Sequence, residues 1–262
     1  MTRYGLPLVV ALLAAACTPV PERATITVGP GIEMVRIEAG TFTMGTPGTE
    51  TGREDQERLH DVRLTKAFYL GVTEVTQAQW EAVMGTRPSH FGDCGGDCPV
   101  ERVNFDHVQA FIAGLNATEG GGFRLPTEAE WEYACRAGGR AAFGHHASTL
   151  GSADANINGA YPYGVDATGP SPGPRAVASF DSNPWGLFDM SGNVWEWVED
   201  WHCPYPTDEA VDPIGRCDSA YRVIRGGSWA FDGTSARCGL RYTHRPQDLG
   251  FSLGFRLARS VR

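Results

Sequence analysis

The sequence predicts one loop-rich domain of mixed helices and short strands, an α/β (α+β) class. Three observations carry this. The 262 residues suit one large domain or two small ones, and no clean linker divides them. Apolar residues make up 42%, enough to bury a sizeable core. Gly 33 and Pro 17 are high, so turns and irregular loops should outweigh long regular elements. The net charge of −9 sets aside nucleic acid and an anionic membrane surface as partners. Ordinary solubility accounts for that charge equally well.

The first residues read as an address. Arg3 supplies a short positive region, and Leu6 to Ala16 is apolar but too short to span a bilayer. It ends in Leu13-Ala-Ala-Ala-Cys17, which resembles a bacterial lipobox with Ala14 where Leu is usual. On that reading, 1–17 is a signal peptide and Cys17 carries a lipid. Residues 18–31 are then a tether and 32–262 the domain. An ordinary cleaved signal peptide is the alternative. Both place the chain in the cell envelope, lipid-anchored or periplasmic or secreted, with a membrane reached only through the N-terminal lipid. Without Cys17 six cysteines remain, at 94, 98, 135, 203, 217 and 238. An even number in an oxidising compartment favours disulfides, and sequence alone leaves about fifteen pairings open.

Along the domain, residues 32–45 read as strands interrupted by Gly40 and Gly45, as in a hairpin, and Val62 to Val72 is strand-like again. Three helices follow. Thr76 and Gln79 form a capping box before Trp80, Val83 and Met84, and Gly85 stops that helix. A second runs from about Asp106 to Asn116, with Val108, Phe111, Ile112 and Leu115 on one face. In the third, Thr127 and Glu130 make a capping box, Trp131, Ala134 and Cys135 share a face, and Gly138 ends the helix. From about Ala141 to Asp181 no period is sustained, so something other than regular structure must tie this loop down. The last third alternates strands and turns over Tyr221–Trp229 and Leu249–Ala258, after a polar loop bracketed by Cys203 and Cys217.

The densest stretch is Asn183 to Trp201, which holds four of the seven tryptophans together with Asp189, Glu196, Glu199 and Asp200. Carboxylates beside Gly and Asn in tight turns suit a hard cation. An aromatic core segment with solvated acids would look the same. The histidines, at 60, 90, 107, 145, 146, 202 and 244, have no spacing that supports zinc hydrolysis. There is no Gly-x-Ser-x-Gly elbow and no P-loop.

Four segments together resemble the sulfatase-modifying-factor family, whose type member is the formylglycine-generating enzyme. They are Arg124-Leu-Pro-Thr-Glu-Ala-Glu-Trp-Glu-Tyr-Ala-Cys-Arg-Ala-Gly138, Gly186-Leu-Phe-Asp-Met-Ser-Gly-Asn-Val-Trp-Glu-Trp197, Arg225-Gly-Gly-Ser-Trp229 and Gly250-Phe-Ser-Leu-Gly-Phe-Arg256. The resemblance implies an irregular, calcium-bound fold related to C-type lectins. It implies one calcium on the side chains of Asp189 and Glu196 with the carbonyls of Gly192 and Val194. A second would use Asn156, the Ile157 carbonyl and Asp166. It implies a Cys135–Cys238 disulfide, which leaves Cys94–Cys98 and Cys203–Cys217 as local pairs. A further family disulfide would need cysteines at about Phe123 and Leu257, and both are absent.

The type enzyme oxidises a sulfatase cysteine to formylglycine with O₂, holding Cu(I) between two thiolates just after the Gly-Gly-Ser turn. Soft thiolates suit Cu(I). The matching stretch here, Trp229 to Cys238, holds one cysteine, and Phe231 lies near where the first thiolate belongs. Copper is therefore not expected. Cys94-Gly-Gly-Asp-Cys98 has a spacing that can chelate Cu(I), but outside the cytoplasm a disulfide is the preferred state. Ser228 and Trp195 match family pocket positions. With Trp229, Arg237 and Arg241, and with Arg225, Tyr242, His244 and Arg245 nearby, they suggest a basic, aromatic surface for a peptide or other ligand. Pairing of these arginines with local acids such as Asp232 and Asp248 is the competing reading. The expectation is a monomeric binding or accessory module of this scaffold. A formylglycine-generating oxidase, or another oxidative maturation enzyme on the same scaffold, stands as the alternative.

Overall fold

Strand β2 (Ile32–Ile37) is the second of five strands in the first sheet. In the computed structural model, which describes residues 23–261, it pairs antiparallel with β1 (Thr25–Val28) and β5 (Phe68–Gly71). The sheet continues through β12 (Ala258–Ser260) to β6 (Phe123–Arg124), in the order β1-β2-β5-β12-β6. The segment read as a signal peptide, with Cys17, lies outside the described residues. The segment read as a tether contains β1, because Thr25-Ile26-Thr27-Val28 is a β-branched run that lies well against a sheet edge.

The expected hairpin over residues 32–45 does not form. The chain leaves the first sheet after β2, and β3 (Gly40–Met44) pairs with β4 (His60–Leu64) in a separate sheet completed by β8 (Ala210–Val211). Gly40 marks the departure: a Cβ there would lie 2.3 Å from the hydroxyl of Tyr133. Phe42 then packs on the Tyr133 ring at 5.2 Å. The third sheet has the order β10-β9-β7-β11. Its strands are β7 (Trp195–Trp201), β9 (Arg222–Arg225), β10 (Tyr242–His244) and β11 (Leu253–Gly254). So the tryptophan-rich stretch is in part a strand, nearly all of it buried.

All three helices form, the first and third where their capping boxes predict and the second where its apolar period predicts. Helix α1 (Gln77–Met84) has both halves of its Thr76/Gln79 box and ends on Gly85 at φ 66°. Helix α2 (Phe105–Thr118) starts from an Asn104 cap and buries Val108, Phe111, Ile112 and Leu115. Helix α3 (Glu128–Arg136) has the Thr127/Glu130 box and turns left-handed already at Ala137, φ 44°, one residue before Gly138. Trp80 of α1 stacks on Phe111 of α2, with ring centroids 5.3 Å apart, inside the larger core cluster. Phe123 and Leu257 also pack in that cluster, so apolar contact occupies the place where a second long disulfide was considered.

Residues 141–181 contain no helix or strand, as expected, but carry their own small core. Phe143, Leu150, Ala155 and Ile157 cluster with Ala236, and Leu150 and Tyr163 form an isolated bridge. The Asn156 carbonyl accepts from Asn193 N at 2.8 Å, which ties the loop to the turn before β7. Apolar burial and side-chain amides thus order this loop.

The cysteines pair as Cys94–Cys98, Cys135–Cys238 and Cys203–Cys217. Cys135 and Cys238 are fully buried and join α3 to the segment after β9 across a separation of 103 residues. Closing a loop of that size constrains the unfolded chain most. Replacing both with alanine should cost about 4–5 kcal/mol in denaturant unfolding, and an unchanged midpoint would contradict this assignment.

Candidate functional site

The buried face of α3 and the glycine turn after β9 frame the site. Glu128 and Glu132 lie one turn apart on α3 and both point inward, at 3% and 0% exposure. Carboxylates this deep require partners, and arginines supply them. Arg241 grips Glu128 with two bonds of 2.8 Å. Arg225 and Arg136 bind Glu132. Arg237 makes bonds of 2.8 and 2.9 Å to Glu57 and reaches Glu50 at 3.1 Å. Arg256 makes bonds of 2.6 and 2.7 Å to Glu196, which also accepts from the Trp131 indole at 2.6 Å.

This corrects the expectation for Arg237 and Arg241. Both are buried and held by carboxylates, so neither presents a cation to a ligand, and the same is true of Arg225. Their partners are Glu57, Glu50, Glu128 and Glu132 rather than Asp232 or Asp248. Asp232 instead caps a short 3₁₀ turn, accepting from Ser235 N at 2.9 Å. Of the expected basic residues, only Arg245 is exposed.

Asp189 and Glu196, expected on one calcium, share a buried cluster with Glu74 and Arg256. Three carboxyls face one guanidinium. Glu196 is matched by Arg256. Asp189 accepts from Ala178 N at 2.7 Å, and both oxygens of buried Glu74 have no hydrogen-bond partner. Burial first, and then the neighbouring Asp189, push the Glu74 carboxyl well above its ordinary range. The unpartnered Glu74 carboxyl beside Asp189 is the feature here that a hard cation would satisfy, whereas Glu196 is already paired with Arg256. The second set does not fit. The side chain of Asn156 donates to Gly173 O and Asn193 Oδ1 and accepts from Ser171, while Asp166 is exposed. Ile157 is buried in the loop core. Among the described residues no three His, Cys, Asp or Glu side chains are arranged to hold a metal. All six described cysteines are in disulfides, so no thiolate pair for Cu(I) is present among them.

The glycine turn places the remaining candidates. Gly226 and Gly227 adopt φ 95° and 74°. A Cβ on Gly227 would lie 2.8 Å from the backbone of Ala236, so only glycine fits both the conformation and the approach. Ser228 follows, 1% exposed, and its carbonyl accepts from Phe231 N at 3.0 Å. Its hydroxyl meets only the amide of Ala230, at 3.4 Å, so no base activates it. Trp195, from the start of β7, stacks on Tyr242 at 5.2 Å and meets Phe231 edge-on at 5.4 Å. Trp229 meets Phe91 edge-on at 5.3 Å. The indole N–H groups of Trp195 and Trp229 are buried and unpartnered, and Tyr242 is 44% exposed. Phe91, Trp229, Phe231 and Tyr242 thus form an aromatic surface in part exposed, with Trp195 buried beneath it.

Sequence reading missed Phe91 as part of this surface, because its loop gives no periodic signal. It also missed the partners of the arginines. One signal was available: Glu128 and Glu132 fall at i, i+4 on the same helix as buried Trp131 and Cys135.

A cavity of ≈ 240 Å³ behind α3 is lined by His60, Glu128, Asp200, Tyr205 and Arg241 among others. Asp200 accepts from Glu128 N at 2.8 Å and from Gly215 N. Burial, followed by the nearby Glu128 charge, raises its pKa from 3.8 to about 7, against the pull of those amides.

The family model for the sulfatase-modifying factor enzyme 1-like domain matches residues 20–261. The chain is 35% identical over 305 residues to the formylglycine-generating enzyme of Streptomyces coelicolor, covering 94% of each. It is 30% identical over 251 residues to the serine/threonine-protein kinase pkn1 of Chlamydia pneumoniae, covering 87% of this chain but 38% of that protein. Among solved structures, PvdO from Pseudomonas aeruginosa superposes with a TM-score of 0.78 at 30% identity, over 94% of this chain and all of that one.

Asp200 gives the site a pH signature. Its folded pKa lies above the unfolded value, so the proton is bound more tightly in the folded state. The stability this contributes is complete below about pH 4 and is lost as pH rises through about 7. Melting temperature followed across that window should show a falling step that Asp200→Asn lacks. The same step in both proteins would rule Asp200 out as its source.

Proposed function

From the chain's membership of the sulfatase-modifying factor enzyme 1-like family, to which it belongs by a match over residues 20–261, we propose a non-oxidase relative. It is a binding or accessory module that grips a peptide through Trp229, Phe231, Tyr242 and Phe91, with the buried Trp195 packed beneath Phe231 and Tyr242. The observation that carries this is the state of the cysteines. Cys238, which follows the Gly-Gly-Ser turn, is bonded to Cys135. Phe231, near where the resemblance places the first thiolate, packs on Trp195. The residues present therefore do not fit a two-thiolate copper site, and no oxidation step is derived through one.

Aromatic faces bind peptide side chains with little loss of rotamer freedom. Three disulfides support an oxidising compartment. With the lipobox-like end at Cys17, the proposal is a periplasmic or envelope-anchored protein. A structural calcium at Asp189 is part of the same proposal, and its role would be to neutralise surplus buried carboxylate. A second reading, formylglycine-type oxidation, is favoured by the near full-length likeness to the Streptomyces coelicolor enzyme.

Protein incubated with Cu(I) and a Cys-x-Pro-x-Arg peptide should form no aldehyde above a no-enzyme control, by mass spectrometry. Product above that control would favour the second reading. Peptide binding, followed by tryptophan fluorescence, should weaken on Trp229→Ala by about 1–2 kcal/mol. Calcium should raise the melting temperature of the wild type and not of Asp189→Ala. Chelator leaving the wild type unchanged would remove the ion from the account.

A further inference from the structure

The Cys94–Cys98 disulfide differs from the other two in its setting. Cys94 is exposed, whereas Cys98 is 1% exposed. Cys135 and Cys238 are both fully buried, out of reach of any thiol. Cys203–Cys217 is partly exposed but neighbours His202 and the Arg241 region, not the aromatic surface. The Cys94 loop, in contrast, begins at that surface. Cys94 N donates to Phe91 O at 3.0 Å, and Phe91 is the ring that meets Trp229. The two cysteines enclose Gly95, Gly96 and Asp97, and Gly95 sits at φ 108°, a conformation that favours glycine.

The loop is also seated on the N-terminus of α1. Gln77 N donates to Cys98 O at 2.8 Å and Ala78 N to Gly96 O at 3.0 Å. Both amides are taken up by loop carbonyls, which anchors the loop's backbone on either side of Asp97. An exposed sulfur to be attacked and a shielded sulfur to leave are what directional thiol–disulfide exchange requires.

We propose that Cys94–Cys98 is a thiol–disulfide exchange site that oxidises paired cysteines of a peptide lying on the surface formed by Phe91 and Trp229. This rests on the peptide-binding reading above. A peptide thiolate attacks Cys94 Sγ, the Cys94–Cys98 bond breaks, and Cys98 leaves as thiolate and takes up a proton. The second peptide thiolate then attacks the peptide sulfur of the mixed disulfide, and Cys94 leaves and is protonated. Two electrons pass from the peptide to the protein. The peptide gains one disulfide, the protein one dithiol, and the two protons lost by the peptide thiols are those gained by Cys94 and Cys98. No other oxidant enters the single turnover.

The test uses the whole chain and a reduced Cys-x-Phe-x-Cys peptide, with the open disulfide identified by alkylation and mass spectrometry. Peptide oxidation should be matched mole for mole by opening of Cys94–Cys98, while Cys203–Cys217 and Cys135–Cys238 stay closed. In Cys98→Ser, a mixed disulfide with the peptide should accumulate on Cys94 when that thiol is first activated with Ellman's reagent. In Cys94→Ser the same treatment should trap nothing on Cys98. Trp229→Ala should slow transfer to the peptide but not to glutathione. Peptide that binds by fluorescence while Cys94–Cys98 stays closed would overturn the exchange and leave the binding reading intact. Exchange with peptide no faster than with glutathione, and no detectable binding, would overturn both. Equal opening of Cys203–Cys217 would show mere exposure and also sink the proposal.

Discussion

The pair between Arg256 and Glu196 is the contact on which the rest of the structure depends. It joins the C-terminal segment to β7 in the middle of the molecule, and neither side chain reaches solvent. Arg256 also donates to Gly71 O at the end of β5 and to Phe188 O, both at 3.0 Å. One guanidinium thus connects the first sheet, the third sheet and the loop that carries Asp189. Trp131 of α3 donates to the same carboxylate. With so little regular structure, the fold gains its uniqueness from such directional, buried pairs. Removing either partner leaves an uncompensated charge in the interior.

The same logic repeats around α3 and decides what the arginines do. Arg225, Arg237 and Arg241 read in the sequence as a cationic patch because they follow one another near a candidate pocket. In the folded chain each is drawn inward by a glutamate far away in sequence, and the outward-facing chemistry is left to the aromatics. On the proposed peptide-binding reading, recognition would run through stacking and edge contacts rather than charge, and would favour apolar or aromatic segments over acidic ones.

Local signals were legible in the sequence. The capping boxes at Thr76 and Thr127 located two helices, and the i, i+3, i+4 pattern of Val108, Phe111 and Ile112 located the third. The Gly-Gly-Ser turn was readable because only glycine tolerates that backbone. The cysteine pairing followed from family resemblance rather than from spacing. Long-range features were not legible. Nothing near Gly40 says that β3 joins β4 rather than β2, since the reason is the hydroxyl of Tyr133, brought there by α3. Nothing near Arg241 names Glu128 as its partner. The acidic residues of the tryptophan-rich stretch read as solvated or metal-bound, yet Glu196 is paired by an arginine sixty residues on.

A double-mutant cycle on Glu196→Gln and Arg256→Met, read by denaturant unfolding, tests this account most directly. If the pair is the frame's central connection, each single replacement costs about 3–5 kcal/mol and the double variant costs clearly less than their sum, because it leaves no lone buried charge. Strictly additive losses would mean that the two side chains act independently, and that the fold is held elsewhere.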